Sequence, residues 1–167
     1  MGIAIKHIIQ QGKVTLITHN METLELHILG IPMAKQSARF RIVKGKSGKD
    51  FISSYQKKSV TDRETSIGWI VMQQLPQGFV PFDCPLFMEA EYVFPIPQSA
   101  TKKMKRMIED GEMVYKDTKP DVHDNLNKAT IDSLEGIIFV NDSRIAKMTA
   151  VKYYGTTPKT ILKFTEL

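Results

Sequence analysis

One stretch in the second half of the chain carries acidic, amide and basic side chains at spacings that suit metal-ion chemistry. Residues 119–128 read Lys-Pro-Asp-Val-His-Asp-Asn-Leu-Asn-Lys. A helix over 121–135, turning about 100° per residue, would place five polar side chains within roughly 60° of one direction. These are Asp121, Asp124, Asn125, Lys128 and Asp132. Crowded carboxylates repel each other, and a divalent cation relieves the repulsion. The pattern therefore predicts a site for Mg²⁺, or for Mn²⁺, since both prefer hard oxygen ligands.

The same residues have an ordinary structural interpretation. Asp121 follows Pro120, which cannot comfortably continue a helix, so Asp121 is a good N-cap candidate. Asp124 and Lys128 have the i,i+4 spacing of a surface ion pair, and Asp132 could simply be solvated. The residue pattern alone leaves both interpretations open.

A further acid, Asp142, follows the apolar run 137–140, which we interpret as a short buried strand. Residues 141–143 read Asn-Asp-Ser, which is typical of a turn. From that turn the Asp142 carboxylate could point back towards the acidic helix. The alternative is a turn aspartate that hydrogen-bonds to its own backbone.

Charge is distributed unevenly along the chain, which has 23 Lys and Arg against 18 Asp and Glu, a net charge of +5. Residues 35–63 hold nine basic and two acidic side chains, a local charge of +7. Residues 109–142 hold nine acidic side chains against three lysines, a local charge of −6. A basic flank beside an acidic cluster could bind phosphates at one place and cations at another. Solvated surface is the alternative explanation.

Composition excludes several classes of protein. The 167 residues, 42% hydrophobic and 25% charged, have the size and balance of one globular domain. No apolar run approaches the roughly 18–20 residues of a membrane span, and the first residues do not resemble a secretory signal. Cys84 is the single cysteine, so no intrachain disulfide forms, which suits a reducing compartment. We expect a soluble, cytoplasmic protein.

Apolar periodicity predicts an α/β (α+β) domain, with a mixed β-sheet flanked by helices, over residues 24–167. Residues 1–23 are interpreted as an N-terminal extension of uncertain role. Helices are expected over 56–75 and 121–135, and Ser99 or Thr101 would cap a short basic helix between them that ends at Asp110-Gly111. Strands are expected over 24–29, 40–43, 86–94, 137–140, 144–154 and 160–164.

Four segments of the chain resemble the RusA family of Holliday junction resolvases over about residues 24–165. The family pattern runs K-P-D-x-D-N-L-x-K, then an Asp-Ala-Leu helix end, a short strand and D-D-x-x-V. An N-terminal Gly-x-Pro-x-x-Lys-Gln segment follows its first strand. The matching residues here are Lys119-Pro120-Asp121, Asp124-Asn125-Leu126 and Lys128, then Ile131-Asp132-Ser133-Leu134 and Gly136, then Asn141-Asp142-Ser143-Arg144-Ile145, and Gly30-Ile31-Pro32-Met33-Ala34-Lys35-Gln36.

The resemblance implies a homodimeric, Mg²⁺-dependent endonuclease that nicks two opposed strands of a four-way DNA junction, encoded by a bacterium or a phage. It implies three metal-binding acids and a catalytic lysine, which are Asp121, Asp124, Asp142 and Lys128. Asp132 and His123 would lie just outside this set. The DNA backbone would be held by basic side chains, giving salt-sensitive binding. The candidates are Lys35, Arg39, Arg41, Lys57, Lys58, Lys102, Lys103, Lys105 and Arg106.

The chain departs from the family pattern at the first acid. The family places that acid two residues before the second, where this chain has Val122, because His123 is an additional residue. Asp121 is then the replacement. Asn141 also stands where the family commonly has an aspartate. These departures support a second hypothesis, a junction-binding protein impaired in catalysis. A metal-binding scaffold without a nucleic-acid role is a third.

Overall fold

The computed structural model describes residues 4–10, 13–19, 23–34, 39–44, 50–55 and 66–167, with side chains described in 23–34 and 66–167. Helix α1 is described over residues 66–72. The remaining helices and turns are α2 (Lys102–Glu109), a π-helical turn (Val122–Asn127), α3 (Lys128–Leu134) and a 3-10 turn (Asp142–Arg144). The strands are β1 (Ala4–Gln10), β2 (Lys13–His19), β3 (Thr23–Leu29), β4 (Arg39–Lys44), β5 (Asp50–Tyr55), β6 (Leu86–Pro95), β7 (Val114–Tyr115), β8 (Ile145–Gly155) and β9 (Lys159–Glu166).

A mixed five-stranded sheet, in the order β3-β9-β6-β8-β7, forms the centre of the protein. Its neighbours pair antiparallel except β6 and β8, which run parallel. Two parallel strands cannot be joined by a tight turn, so the chain between them must cross over the sheet. That crossover contains α2, β7, the π-helical turn and α3. The predicted acidic helix therefore lies in the one connection that the parallel pair requires.

The hydrophobic core lies between one face of the sheet and the crossover. Strand β3 alternates exposed and buried residues along its whole length, as a strand with one covered face does. The even-numbered residues of β6 and β9 point to the same covered face. Fully buried side chains include Leu26, Leu86, Met88, Tyr92, Leu162 and Phe164 from the strands, and Leu126 and Leu134 from the helices.

Two antiparallel hairpins form separate two-stranded sheets. One is β1 with β2, within the segment interpreted as an extension, where the sequence predicted no strand. The other is β4 with β5, and it includes the predicted strand 40–43. The predicted strands 24–29, 86–94, 144–154 and 160–164 are confirmed as β3, β6, β8 and β9, with ends shifted by one or two residues.

The predicted strand over 137–140 is wrong. Residues 136–138 form a turn, and only isolated bridges involve Phe139, to Phe82 and to Glu135. The turn begins at Gly136, whose φ of 76° suits glycine, and the Ile138 N–H still donates to the Leu134 carbonyl at 2.9 Å. Residues 138 and 139 are nevertheless fully buried. An apolar run predicts burial, and burial does not distinguish a strand from a packed turn.

The predicted helices are confirmed in the described residues, except that the helix predicted over 56–75 ends at residue 72 and the helix predicted over 121–135 opens with a π-helical turn. Residues 66–72 are helical, and the part of the predicted helix before residue 66 lies outside the described residues. The basic helix is α2, capped by Thr101, whose Oγ1 accepts from Met104 N at 3.2 Å. No helix in the described ranges is long and apolar enough to cross a membrane.

We predict that Gly155→Ala destabilises the sheet through a local clash. A Cβ at residue 155 would lie 2.5 Å from Val93 Cγ1, and Val93 is buried and stiff at χ1. Overpacking of this kind costs about 1–3 kcal/mol in the free energy of unfolding, which urea denaturation measures. In a Val93→Ala background the same change should cost clearly less. An equal cost in both backgrounds would show that the clash is not the cause.

Candidate active site

The acidic helix begins at Asp121, which is an N-cap. Its backbone is extended, with φ −75° and ψ 158°. Its Oδ1 accepts from the backbone N–H groups of Asp124 and Asn125, at 3.0 and 3.1 Å, and its Oδ2 accepts from the Asn125 side-chain amide. The structural interpretation of this residue is thus correct. Both carboxylate oxygens are engaged with donors of the helix itself.

These contacts set the ionisation of Asp121. Desolvation works to raise the pKa of the carboxyl group. The N–H donors of Asp124 and Asn125, with the Asn125 side chain, outweigh it and lower the pKa below its ordinary value. Asp121 is therefore ionised throughout the neutral range, at the end of the helix where a negative charge is favourable.

The first turn of this helix is π-helical, not α-helical. The Leu126 N–H donates to the Asp121 carbonyl five residues back, at 3.2 Å, and residues 122–127 follow the same pattern. A π-helical turn takes up one residue more than an α-helical turn. His123, the residue that departs from the family pattern, lies inside it. Such a turn has room for the extra residue that the resemblance implies, and it alters the polar stripe expected at α-helical spacing upstream of Lys128.

A buried tyrosine anchors the point where the π-helical turn becomes α3. Tyr92 of β6 is fully buried, and its hydroxyl donates to Asn127 Oδ1 at 2.9 Å and is hydrogen-bonded to Thr130 Oγ1 at 3.1 Å. Asn127 and Thr130 are themselves buried. Burial raises the pKa of Tyr92 to about 12, against a lowering contribution from Thr130, so the hydroxyl remains protonated.

A lysine holds the loop that enters the helix. Lys152 of β8 donates from Nζ to the carbonyl oxygens of Thr118 and Pro120, at 2.8 and 2.6 Å. The peptide bond between residues 119 and 120 is cis. Hydrogen bonds from a charged donor are stronger than neutral ones, so this contact fixes the backbone directly before Asp121.

Asn141 stabilises the turn that carries Asp142. Asn141 Oδ1 accepts from Ser143 N at 3.1 Å, and its Nδ2 donates to Glu135 Oε1 at 3.0 Å. Asn141 thus has the backbone-binding role that was the alternative interpretation of Asp142. Within the described part of the chain, the exposed Asp142 carboxylate accepts no hydrogen bond.

The remaining predicted site residues of the acidic helix are exposed. His123, Asp124, Lys128 and Asp132 all reach solvent. Among the residues that the structure describes, the Asp124 carboxylate and the Lys128 ammonium form no ion pair, so the suggested i,i+4 pair between them is absent. Asp124 and Asp142 therefore have oxygen atoms free to bind a cation or water.

The three predicted metal ligands do not form a closed cluster. In 23–34 and 66–167, which include all three, no group of three His, Cys, Asp or Glu side chains is close enough to hold one metal ion. The donor chemistry of Asp124 and Asp142 suits Mg²⁺. Asp121 already accepts three hydrogen bonds, which leaves about one of its four lone-pair sites for a cation.

The predicted DNA-binding residues are described only in part. Lys102, Lys103, Lys105 and Arg106 are all exposed on α2, four positive charges within five residues. Lys35, Lys57 and Lys58 lie outside the described residues. Arg39 and Arg41 lie on β4, of which the backbone alone is described.

Sequence reasoning missed Tyr92, Asn127 and Lys152, which hold the segment in place. One signal was present: β8 alternates apolar residues on its covered face, and a lysine interrupts this alternation at position 152. A charged residue at an inward position needs a partner, which here is backbone carbonyl oxygen.

The chain is similar to known proteins over most of its length. The family model described as endodeoxyribonuclease RusA matches residues 30–165, which is most of the chain. The chain is also similar to a Bacillus subtilis (strain 168) protein named "Uncharacterized protein YqaN". The two are 26% identical over 141 residues, which cover 83% of this chain and 93% of that protein.

We predict that Asp121 stabilises the fold by capping, in a pH-dependent way. Because its pKa is lowered in the folded state, the ionised carboxylate stabilises the fold above the ordinary pKa of aspartate. This contribution disappears as the pH falls through the lowered folded-state pKa. Asp121→Ala should therefore lower Tm at pH 7 and approach the wild-type Tm in strong acid. Asp121→Asn, which retains a capping oxygen, should lose less at pH 7. An Asp121→Ala deficit that is constant with pH would contradict this role.

Proposed function

The chain belongs to the RusA endodeoxyribonuclease family, and on this premise we propose that it resolves four-way DNA junctions by paired symmetric nicks, in recombination and repair. The observation that carries the proposal is the family match, which spans the acidic helix and the Asp142 turn together. The carboxylates of Asp124 and Asp142 support it, because they are exposed and have no partner among the described residues, and a metal-dependent nuclease needs acids that are free to bind a cation.

We assign roles to this chain's residues as follows. Asp124 and Asp142, joined by Asp121, would hold Mg²⁺ or Mn²⁺. Such an ion, when bound, makes water more acidic and neutralises charge on the reacting phosphate. Lys128 follows Asp124 by one turn on the same exposed side, and it would bind a phosphate oxygen as negative charge develops there. His123 and Asp132 would adjust the surroundings of these groups.

The proposed substrate and assembly follow from the symmetry of the reaction. Two opposed nicks in a four-way junction require two active sites, which a two-fold homodimer supplies. Helix α2 would bind the phosphate backbone, together with the basic residues of 35–63. We place the activity in the cytoplasm, where cellular DNA is accessible and Cys84 stays reduced.

A second function is favoured by one observation. Asp121 is engaged as a cap, and no three-acid group is closed within the described residues. A junction-binding protein that no longer cleaves would have this arrangement. The two functions differ in nicking, and they share junction binding.

We predict that Asp124→Asn abolishes nicking and preserves junction binding. Loss of one metal ligand should reduce the nicking rate by more than the about 10–100-fold that loss of an outer hydrogen bond to a ligand costs. The measurement is a gel assay on a synthetic four-way junction with Mg²⁺, with Asp117→Asn as a control at an exposed acid outside the site. Asp124→Asn that nicks like wild type would refute the ligand assignment. Wild-type binding without nicking in any divalent metal would select the second function.

We predict that replacing Lys102, Lys103, Lys105 and Arg106 with alanine weakens junction binding and its salt dependence. Each phosphate contact contributes about 0.9 to the slope of log affinity against log salt, so the slope should fall by roughly 2–4. Binding isotherms at several salt concentrations measure this. The control is the double variant Lys147→Ala with Lys163→Ala, two exposed lysines on the face of the sheet opposite the crossover. An equal effect of the control would mean that net charge, not α2, determines binding.

A further inference from the structure

Two residues that hold the acidic segment are neighbours in the sheet. Tyr92 and Lys152 are register partners in the parallel pair of β6 and β8, so their side chains leave the same face side by side. Above and below them in β8, the covered face carries Met148, Ala150 and Tyr154, which pack against the core. Both Tyr92 and Lys152 reach polar atoms of the crossover.

Their contacts lie at the two ends of the segment. Lys152 binds the carbonyl oxygens at 118 and 120, directly before the cap. Tyr92 binds Asn127 and Thr130, directly after the π-helical turn. Between these points lies Asp124, and Lys128 is the residue next to Asn127. The sheet therefore holds the backbone on both sides of the candidate catalytic side chains.

This arrangement matters because those side chains have no other support. In the part of the chain that is described, the Asp124 carboxylate and the Lys128 ammonium contact no partner that could orient them. Their positions depend on the backbone that carries them. The backbone that carries Asp124 is the π-helical turn, whose hydrogen bonds join residues five apart rather than four.

We infer that Tyr92 and Lys152 act as a pair of positioning residues, which set the places of Asp124 and Lys128 relative to bound DNA. The inference rests on the proposed nuclease function for its effect on rate. Neither residue touches the reacting atoms. The Tyr92 ring lies in the hydrophobic core, and the atoms that reach the crossover are its hydroxyl and the Lys152 ammonium. The hydrogen bonds of these polar atoms therefore fix the orientation of the acidic segment on the sheet, which hydrophobic packing alone does not do.

The rate test uses variants that remove only the polar contact. Tyr92→Phe removes one hydroxyl, and Lys152→Met removes the charged donor and keeps the unbranched side chain up to the ε position. Misplacing a catalytic group by about 1 Å costs up to about 100-fold in rate, so kcat for junction nicking should fall about 10- to 100-fold. KM should stay within about 2-fold, because the DNA-binding surface is unchanged. Lys152→Arg, which keeps charged donors, should retain most of the wild-type kcat.

Matched controls lie on the opposite face of the same sheet, Tyr153 on β8 and Lys163 on β9. Tyr153→Phe removes a hydroxyl that donates to Glu91 at 2.7 Å, and Lys163→Met removes an ammonium 3.8 Å from Glu89. Both should leave kcat unchanged. A kcat reduction no greater than in these controls, in folded Tyr92→Phe and Lys152→Met, would overturn the inference. So would a loss confined to KM.

A second measurement does not depend on activity. Amide hydrogen exchange of a peptide covering 118–128 should become about 10-fold faster in Lys152→Met and Tyr92→Phe, since local opening is no longer opposed by these bonds. Peptides covering α2 and β9 should exchange at wild-type rates. Unchanged exchange in 118–128 would overturn the inference whether or not the protein nicks. Wild-type protein that binds junctions and never nicks would refute the proposed nuclease, and the exchange result would still decide the positioning role.

Discussion

The hydrogen bonds of the buried Tyr92 hydroxyl are the constraint on which the crossover depends. Hydrophobic packing of Leu126 and Leu134 against the sheet holds α3 down, but it has little directional preference and would tolerate small shifts. A shift of α3 by one residue would leave Tyr92, Asn127 and Thr130 unpaired in the core. Each unsatisfied buried group costs about 1–3 kcal/mol. The helix therefore has one position on the sheet, and the side chains on its outer surface inherit that position.

The π-helical turn lies between two points at which the sheet holds the backbone of the crossover. Lys152 holds the chain at Pro120, and Tyr92 holds it at Asn127. Between these anchors the backbone forms the π-helical turn, which takes up one residue more than an α-helical turn. Asp121 compensates at the open end of the turn, where its carboxylate accepts the N–H groups of Asp124 and Asn125. The additional His123 that the resemblance implies therefore fits within this helix and does not conflict with the family pattern.

In this region, Asp121 and Asn141 make the hydrogen bonds that stabilise the backbone. The carboxylates of Asp124 and Asp142 take no part in these bonds. Asp121 caps the helix, and Asn141 caps the 3-10 turn and joins it to Glu135. Because neighbours perform these tasks, the carboxylates of Asp124 and Asp142 stay exposed. These exposed acids remain solvated, and their oxygen atoms are available to a cation. This division of roles is the physical basis for the proposed nuclease, and the capped Asp121 is the basis for its rival.

The sequence by itself determined the local features: the β3 alternation, the Thr101 cap, the Asp121 cap candidate and the motif that indicates the family. Each depends on residues within a few positions of one another, where side-chain type and backbone preference act directly. Tertiary structure alone decided that 137–139 is a packed turn, that the acidic helix opens with a π-helical turn, and that Tyr92 and Lys152 hold it. The contacts of Tyr92 and Lys152 with the crossover span 32 to 38 residues, and the packed turn is hydrogen-bonded to Phe82 on another part of the chain. Periodicity within one element carries no information about such contacts, because the partner lies on another element.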